Sequence, residues 1–357
     1  MKINGNKKIH TDFSKPSDDV LSENLDYRQK DKEYKKEQDT FLTTHKRKKK
    51  RTNCLLCNST HFETPFLHRQ TTYLVCKECG HIQSEHILQS SADVDFATTY
   101  PFLDEKAWLS RCQRIYQPKL EWIVRQLRQE TFFQTDPLAA SWFELGVGAG
   151  YFLGALQSSG VSAYRGIEAN PDLAKRVQNK FGQEKIICGQ DIASAVSHST
   201  AQIYTAFFVL EHLEEQKTLT NALKAKPEGT VFVFSVPTFG LTPVLDAIFT
   251  ENAAKCLDGA VHRQLFTEKS IEYLLHSMGY RPVAQWLFGQ DAITLTNVLL
   301  AQAQQIFNAS LYSQFKSKIE PLVNELQALI DTNFLCDEQH ILAVRDHRYH
   351  RQGQNND

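Results

Sequence analysis

Residues 142–152 read Trp-Phe-Glu-Leu-Gly-Val-Gly-Ala-Gly-Tyr-Phe: an apolar run of strand length, a turn with glycine at 146, 148 and 150, then an apolar helix start. The segments that follow keep the same rhythm. Short apolar runs at 140–145, 163–168, 185–188, 203–208, 230–236, 283–288 and 292–295 predict strands. Amphipathic stretches at 152–158, 171–181, 216–224 and 268–278 predict helices between them. Strand–helix alternation with crossovers of this length predicts an α/β fold whose parallel sheet is covered on both faces. The last two runs, close together around Gly289-Gln290-Asp291, read as a terminal hairpin. Helical spacing also marks 105–130, where Pro118 signals a kink or second start, and 297–330, interrupted near Pro321. At 357 residues the chain has room for one large domain plus appendages.

The three glycines let a ligand lie directly against the backbone beside a helix N-terminus. A dinucleotide-binding turn places its third glycine at 151, and Tyr151 stands there instead, which argues against a pyrophosphate ligand. Three carboxylates follow in order. Glu168 ends the second strand, about 20 residues after the loop, where an acid can accept both hydroxyls of a ribose. Asp191 follows the third strand, suited to the exocyclic amine of an adenine. Glu211 and His212 follow the fourth, and 226–230 (Lys-Pro-Glu-Gly-Thr) turn into the apolar fifth strand.

A second pattern lies upstream. Cys54 and Cys57, then Cys76 and Cys79, form two Cys-x-x-Cys pairs separated by 18 residues, the spacing of a four-cysteine zinc site. Each two-residue gap lets one tight turn aim two thiolates at one tetrahedral metal, and Gly80 supplies permissive backbone after Cys79. Four thiolates close the coordination sphere, so the zinc is structural and His61, His68, His81 and His86 are left no ligand role. Eight cysteines in so long a chain are too few for a disulfide scaffold, and Cys112, Cys188, Cys256 and Cys336 read as scattered packing residues.

With Glu144 opening the glycine loop and Glu168, Asp191 and Glu211-His212 in order behind it, the sequence resembles the class I S-adenosylmethionine-dependent methyltransferases from residue 144 to about 295. That resemblance implies a Rossmann-like seven-stranded sheet with its last strand antiparallel and the cofactor across the carboxyl ends of the first strands. Glu144, Gly146, Gly148 and Gly150 would line the methionine end, Glu168 would bind the ribose, Asp191 the adenine, and Ile192 would flank the ring. The whole order implies 1–53 as a tail, 54–82 as a zinc ribbon, 83–136 as a helical linker or lid, 137–296 as the cofactor-binding domain and 297–357 as a helical extension. It is similar to bacterial enzymes that methylate sugars or sugar nucleotides, and residues 262–267 (His-Arg-Gln-Leu-Phe-Thr) resemble a segment of the wider family more loosely.

Methyl transfer from a sulfonium needs alignment of acceptor and methyl, and for a sugar hydroxyl also a base. His212 and His262 are the candidates, with Glu211 placed to orient His212 or take the proton itself. A pocket-shaping role for the Glu-His pair is the plainer reading. Tyr100, Pro101 and Phe102 could close as a lid or simply pack at the start of the next helix.

Lys+Arg 40 against Asp+Glu 41 excludes a globally basic nucleic-acid coat. Residues 1–53 are polar, with few large apolar side chains, and predict a disordered tail. Its basic run, 46–51, is the feature that favours an alternative: an RNA-base methyltransferase using the ribbon to hold RNA. No Asn-Pro-Pro-Tyr-like motif follows the fourth strand to support that. A non-catalytic interaction protein with this fold is the other alternative. No apolar run approaches a membrane span and no secretory signal opens the chain, so the expected location is the cytoplasm. Oligomeric state is not legible.

Overall fold

The computed structural model of the protein describes residues 9–15, 27–44, 47–88, 104–252, 254–259 and 262–352. Its strands are β1 (His10–Phe13), β2 (Arg47–Lys50), β3 (Phe66–His68), β4 (Thr71–Val75), β5 (Ile82–Ser84), β6 (His86–Leu88), β7 (Trp142–Leu145), β8 (Tyr164–Glu168), β9 (Ile186–Cys188), β10 (Ile203–Phe207), β11 (Val231–Pro237), β12 (Gln264–Leu265), β13 (Tyr280–Phe288) and β14 (Glu338–Arg345). Eight form the main sheet, in the order β1-β13-β14-β11-β10-β7-β8-β9. β14 runs antiparallel to both of its neighbours; the other pairs are parallel. This is the seven-stranded sheet that the sequence resemblance implies, with one additional edge strand.

The α-helices are α1 (Tyr27–Thr44), α2 (Glu105–Arg111), α3 (Gln117–Arg128), α4 (Tyr151–Ser158), α5 (Pro171–Phe181), α6 (Ile192–His198), α7 (Gln216–Lys224), α8 (Leu241–Ile248), α9 (Glu268–Met278), α10 (Asp291–Ile306), α11 (Ala309–Ile319), α12 (Val323–Thr332) and α13 (His347–Gln352). Alternation along the central strands feeds two cores. Val231 and Val233 pack with Trp142, Ile203 and the α3–α4 side, whereas Phe232 and Phe234 pack with Phe143, Tyr204 and the α7–α9 side. One π-type turn, Cys112–Tyr116, separates α2 from α3, and Pro118 occupies the first turn of α3, where its missing N–H is harmless.

Three expectations are corrected. The run 292–295 is not a strand: it belongs to α10, and the hairpin around residue 290 is absent. Ala292, Thr296, Leu300 and Ala303 recur at helical spacing along one buried side, a period that a four-residue window hides. Asp291 anchors that helix, accepting from Thr242 N–H (2.9 Å), Thr242 Oγ1 (2.7 Å) and Asp337 N–H (3.0 Å). The antiparallel strand is β14 instead, inside the segment expected to be wholly helical; α10 to α12 are an insertion ahead of it.

Residues 10–13 and 27–44, expected in a disordered tail, are also structured. β1 is polar but pairs with β13, and Asp12 Oδ2 accepts from Trp122 Nε1 (2.8 Å), Arg125 Nη2 (2.9 Å) and Gln126 Nε2 (2.9 Å). Backbone pairing and hydrogen bonds to a charged acceptor offset the small apolar burial. The basic run is partly consumed as well. β2 pairs with β6, and Arg51 is buried, its Nη1 donating to Ser84 O (2.9 Å), Ser84 Oγ (2.8 Å) and His86 O (2.7 Å). Tyr100, Pro101 and Phe102 lie outside the described residues.

Candidate active site

The glycine loop leaves β7 with Gly146, Gly148 and Gly150 all in the left-handed region (φ +68°, +56° and +77°). At Gly146 a Cβ would lie 2.6 Å from Val209 Cγ2, while at Gly148 it would meet nothing within 4 Å. The loop is therefore wedged on one side and open at its centre. Glu168 closes it from β8: Gly148 N–H donates to Oε2 (2.7 Å) and Asn170 N–H to Oε1 (2.8 Å). Each oxygen keeps a further lone pair for a ligand hydroxyl. Trp108 Nε1 ties α2 to the same loop through Ala149 O (2.9 Å).

Glu144 sits beneath the loop, buried, and its Oε2 has no hydrogen-bond partner among the described residues. Burial pushes its carboxyl well above the usual range; Glu168 adds to the rise and Lys119 opposes it. An orphaned buried carboxylate is costly unless a cationic or donor group meets it. The ammonium of a methionine moiety has that chemistry, so an open glycine cradle, a hydroxyl-accepting Glu168 and an unsatisfied Glu144 together fit S-adenosylmethionine.

Asp191 and Ile192 lie at the third corner. Asp191 caps α6 by accepting from Ser194 N–H (2.8 Å) and is exposed, while Ile192 is half-buried. A cavity of 940 Å³ starts here and runs along the sheet face to Ser141 and Ser162. Glu144, the loop glycines and Glu168 do not line it, so this cavity leads away from the cradle.

The structure brings Glu211, His212 and His262 together although 49 residues separate the two histidines. Their ligating atoms all lie within 4.8 Å of one another, and the two imidazoles stand 5.3 Å apart. Glu211 is fully buried and neither carboxylate oxygen has a hydrogen-bond partner among the described residues; His212 Nε2 is 3.8 Å from Oε1. Burial raises the Glu211 carboxyl to about 7, with His262 opposing the rise. His262 Nδ1 lies 2.8 Å from Lys255 O, a pure acceptor, so Nδ1 carries the proton and Nε2 the lone pair.

Residues 116–285 match a family model described as a methyltransferase domain. These residues form a methyltransferase domain. Among solved structures the chain is similar to magnesium protoporphyrin IX methyltransferase from Synechocystis PCC 6803 with bound SAH, at 14% identity and TM-score 0.41, covering 68% of this chain and 87% of that one. It is also similar to a SAM dependent methyltransferase from Archaeoglobus fulgidus, at 16% identity and TM-score 0.38, covering 63% and 94%. Such distant likenesses carry nothing about the acceptor. No curated protein matches the sequence.

The four cysteines in the turns beside the small sheet converge. Cys54 Sγ is 3.5 Å from Cys79 Sγ, Cys57 Sγ is 3.4 Å from Cys76 Sγ, and all four lie within 4.8 Å of one another. A tetrahedral zinc with Zn–S bonds near 2.3 Å sets sulfur–sulfur edges of about 3.8 Å. Two backbone knuckles present the sulfurs: Asn58 N–H donates to Cys54 O (2.9 Å) and Gly80 N–H to Cys76 O (2.8 Å), with Gly80 at φ +70°. Donor set and spacing fit the metal.

Sequence reasoning missed how this unit joins the site. The four-stranded sheet runs β12-β5-β4-β3, so its edge strand is the segment two residues past His262. Phe266, next along, donates its N–H to Pro237 O (3.1 Å) and accepts from Phe239 N–H (2.8 Å) at the end of β11. Residues 264–266 thus staple the cysteine unit to the main sheet. Gln264 Oε1 lies 2.9 Å from His81 Nε2, and its Nε2 donates to Leu213 O (2.6 Å), just past His212. Glu214 is held by Arg51 and by Arg263 Nη1 (2.7 Å). α1 clamps the other side of the loop, with Gln38 Nε2 donating to Ala254 O (2.7 Å) and Gln38 Oε1 accepting from Ala254 N–H (3.1 Å). Glu214 and Gln38 carry no motif; the available signals were the proximity of Glu214 to His212 in sequence and the place of Gln264 inside the segment 262–267.

Proposed function

We propose that this methyltransferase moves a methyl group onto an oxygen or carbon of a small polar acceptor, a sugar or sugar nucleotide, at the Glu211–His212–His262 end of the site. The observation that carries the reading is this convergence beside Val209, the residue wedged against Gly146 of the cofactor loop. Glu144, Gly146, Gly148 and Gly150 hold the methionine end, Glu168 the ribose, and Asp191 with Ile192 the adenine. Bound S-adenosylmethionine supplies an electrophilic methyl on a good leaving group. The carboxylate and imidazoles take the acceptor's proton or stabilise the charge it leaves behind as the new bond to the methyl forms. The cysteine unit holds a structural zinc that fixes the loop carrying His262.

A polar loop supports a hydroxyl-rich acceptor: Lys255 and Asp258 lie on the same loop as His262, Asp258 accepting from its N–H. Consumption of Arg51 in a buried network removes part of the basic run on which an RNA substrate would rest.

Thermal unfolding with S-adenosylhomocysteine and, separately, NAD tests the cofactor half. Ligand at about 100 times its dissociation constant adds roughly 2.7 kcal/mol, so a raised midpoint with the first alone is expected. Methyl transfer from labelled cofactor to a panel of sugar nucleotides and to RNA tests the acceptor; label in RNA alone overturns the proposal.

A further inference from the structure

We propose that Glu211, His212 and His262 form a second metal site, distinct from the four cysteines, that binds one divalent transition-metal ion and leaves coordination positions open for an acceptor oxygen. Geometry comes first. Nitrogen and oxygen ligands at about 2.1 Å from a tetrahedral ion stand about 3.4 Å apart, and His212 Nε2 already lies 3.8 Å from Glu211 Oε1. All three side chains offer atoms within 4.8 Å of one another.

The carboxylate makes the second argument. Glu211 is completely buried, and neither oxygen finds a hydrogen-bond donor among the described residues. Buried carboxylates are otherwise paired, hydrogen-bonded or bound to metal. His262 adds a third. With Nδ1–H committed to Lys255 O at 2.8 Å, Nε2 is presented as a lone pair, the arrangement in which an outer carbonyl orients a metal-binding imidazole. That histidine is also held by its own backbone, whose N–H donates to Asp258 Oδ1 (2.9 Å), and Asp258 Oδ2 in turn accepts from Tyr34 Oη (3.4 Å).

Two imidazoles and one carboxylate suit cobalt, iron, zinc or manganese better than magnesium, which prefers oxygen alone. Three protein ligands also leave room that four thiolates do not. A cation here would bind the acceptor's hydroxyl oxygen and stabilise its negative charge, the hydroxyl proton passing to solvent; the carboxylate and imidazoles then stabilise that charge through the ion and do not take the proton themselves. This role rests on the methyl-acceptor reading above; binding of the ion does not.

The test uses the untagged full-length protein carrying one zinc per chain, titrated with Co²⁺ by calorimetry and visible absorption. One further equivalent is expected to bind with an absorption spectrum free of thiolate-to-cobalt bands. His262→Ala and Glu211→Gln should each weaken uptake by at least about tenfold while the zinc content stays at one. If Glu211→Gln does not fold, His212→Ala, at a half-buried position, replaces it. No uptake by the wild-type protein at millimolar Co²⁺, or equal uptake by wild type and variants, overturns the proposal. Stabilisation by S-adenosylhomocysteine is followed in the same samples, so a failed metal site and a failed methyltransferase reading give different patterns.

Discussion

The proposed cofactor end of the site comes from one continuous stretch, Glu144 to Ile192, in which strand, turn and helix succeed one another and the ligand candidates lie in or just after the ends of successive strands. The proposed acceptor end brings together Glu211 and His212 after β10, His262 from a loop further on, β12 paired to the cysteine unit, and α1 clamping Ala254. The first is local and repeats the logic of the fold. The second is an assembly of distant segments, in which the small four-cysteine unit brackets the loop of His262. The contrast teaches that binding and acceptor functions here rest on separable supports, so they should fail separately.

The largest effect should come from the bracket. Cys76→Ser, or stripping zinc with a chelator, is expected to abolish methyl transfer, because structural zinc contributes about 10–16 kcal/mol to units of this kind and β12 loses its partner with it. Stabilisation by S-adenosylhomocysteine should survive, since the side-chain hydrogen bonds of Gln264 in β12 run to His81, Gln216 and Leu213, outside Glu144 to Ile192. Loss of both together would break the comparison.

Glu168→Ala should do the reverse. Removing a carboxylate that accepts from Gly148 and Asn170 N–H and from the ribose should weaken S-adenosylhomocysteine about 10–100-fold by calorimetry, with zinc content unchanged. Next is Gln264→Leu, which severs His81 from Leu213 O and should lower kcat about tenfold at saturating cofactor with the cofactor Kd unaltered. An equal loss in cofactor affinity would show the two ends to be coupled.

Gln38→Ala removes both hydrogen bonds to Ala254 and should cost about 1–2 kcal/mol in acceptor binding, read as a raised acceptor KM, with kcat little changed. The smallest effect concerns neither end. Burial raises the Asp331 carboxyl to about 6 from an ordinary 3.8, so its protonated form favours the fold; that stability is present below about pH 4 and lost as pH rises through 6. Asp331→Asn, keeping the acceptor of Gln327 Nε2, should therefore raise Tm by about 2 °C at pH 8, leave it unchanged at pH 4, and alter neither end.

Much of the main sheet was legible because apolar runs of strand length, buried on both faces, alternate with amphipathic helices. β10 and β11 fall within a residue or two of the runs that predict them. β14 was not legible: its inner residues, Ile341 to Val344, are flanked by Glu338, Gln339, His340 and Arg345, and its strand partners lie far off in sequence. β1 was invisible for a related reason. Its stability comes from a sheet edge and from three donors to Asp12, none of which composition reports. Glu211, His212 and His262 could be named individually, but nothing in their spacing says they meet.

By itself, then, the sequence determined what depends on neighbours along the chain: the glycine turn, the carboxylates at strand ends, two cysteine knuckles, and hence the reaction class. Tertiary structure alone decided what depends on contacts between remote segments. It placed β14 between β11 and β13, turned a polar N-terminal stretch into an edge strand and a clamp, and seated the cysteine unit on the loop of His262. The physical reason is range. Turn geometry and side-chain periodicity act over a few residues, whereas backbone pairing at a sheet edge and satisfaction of buried polar groups are settled only when distant segments are brought together.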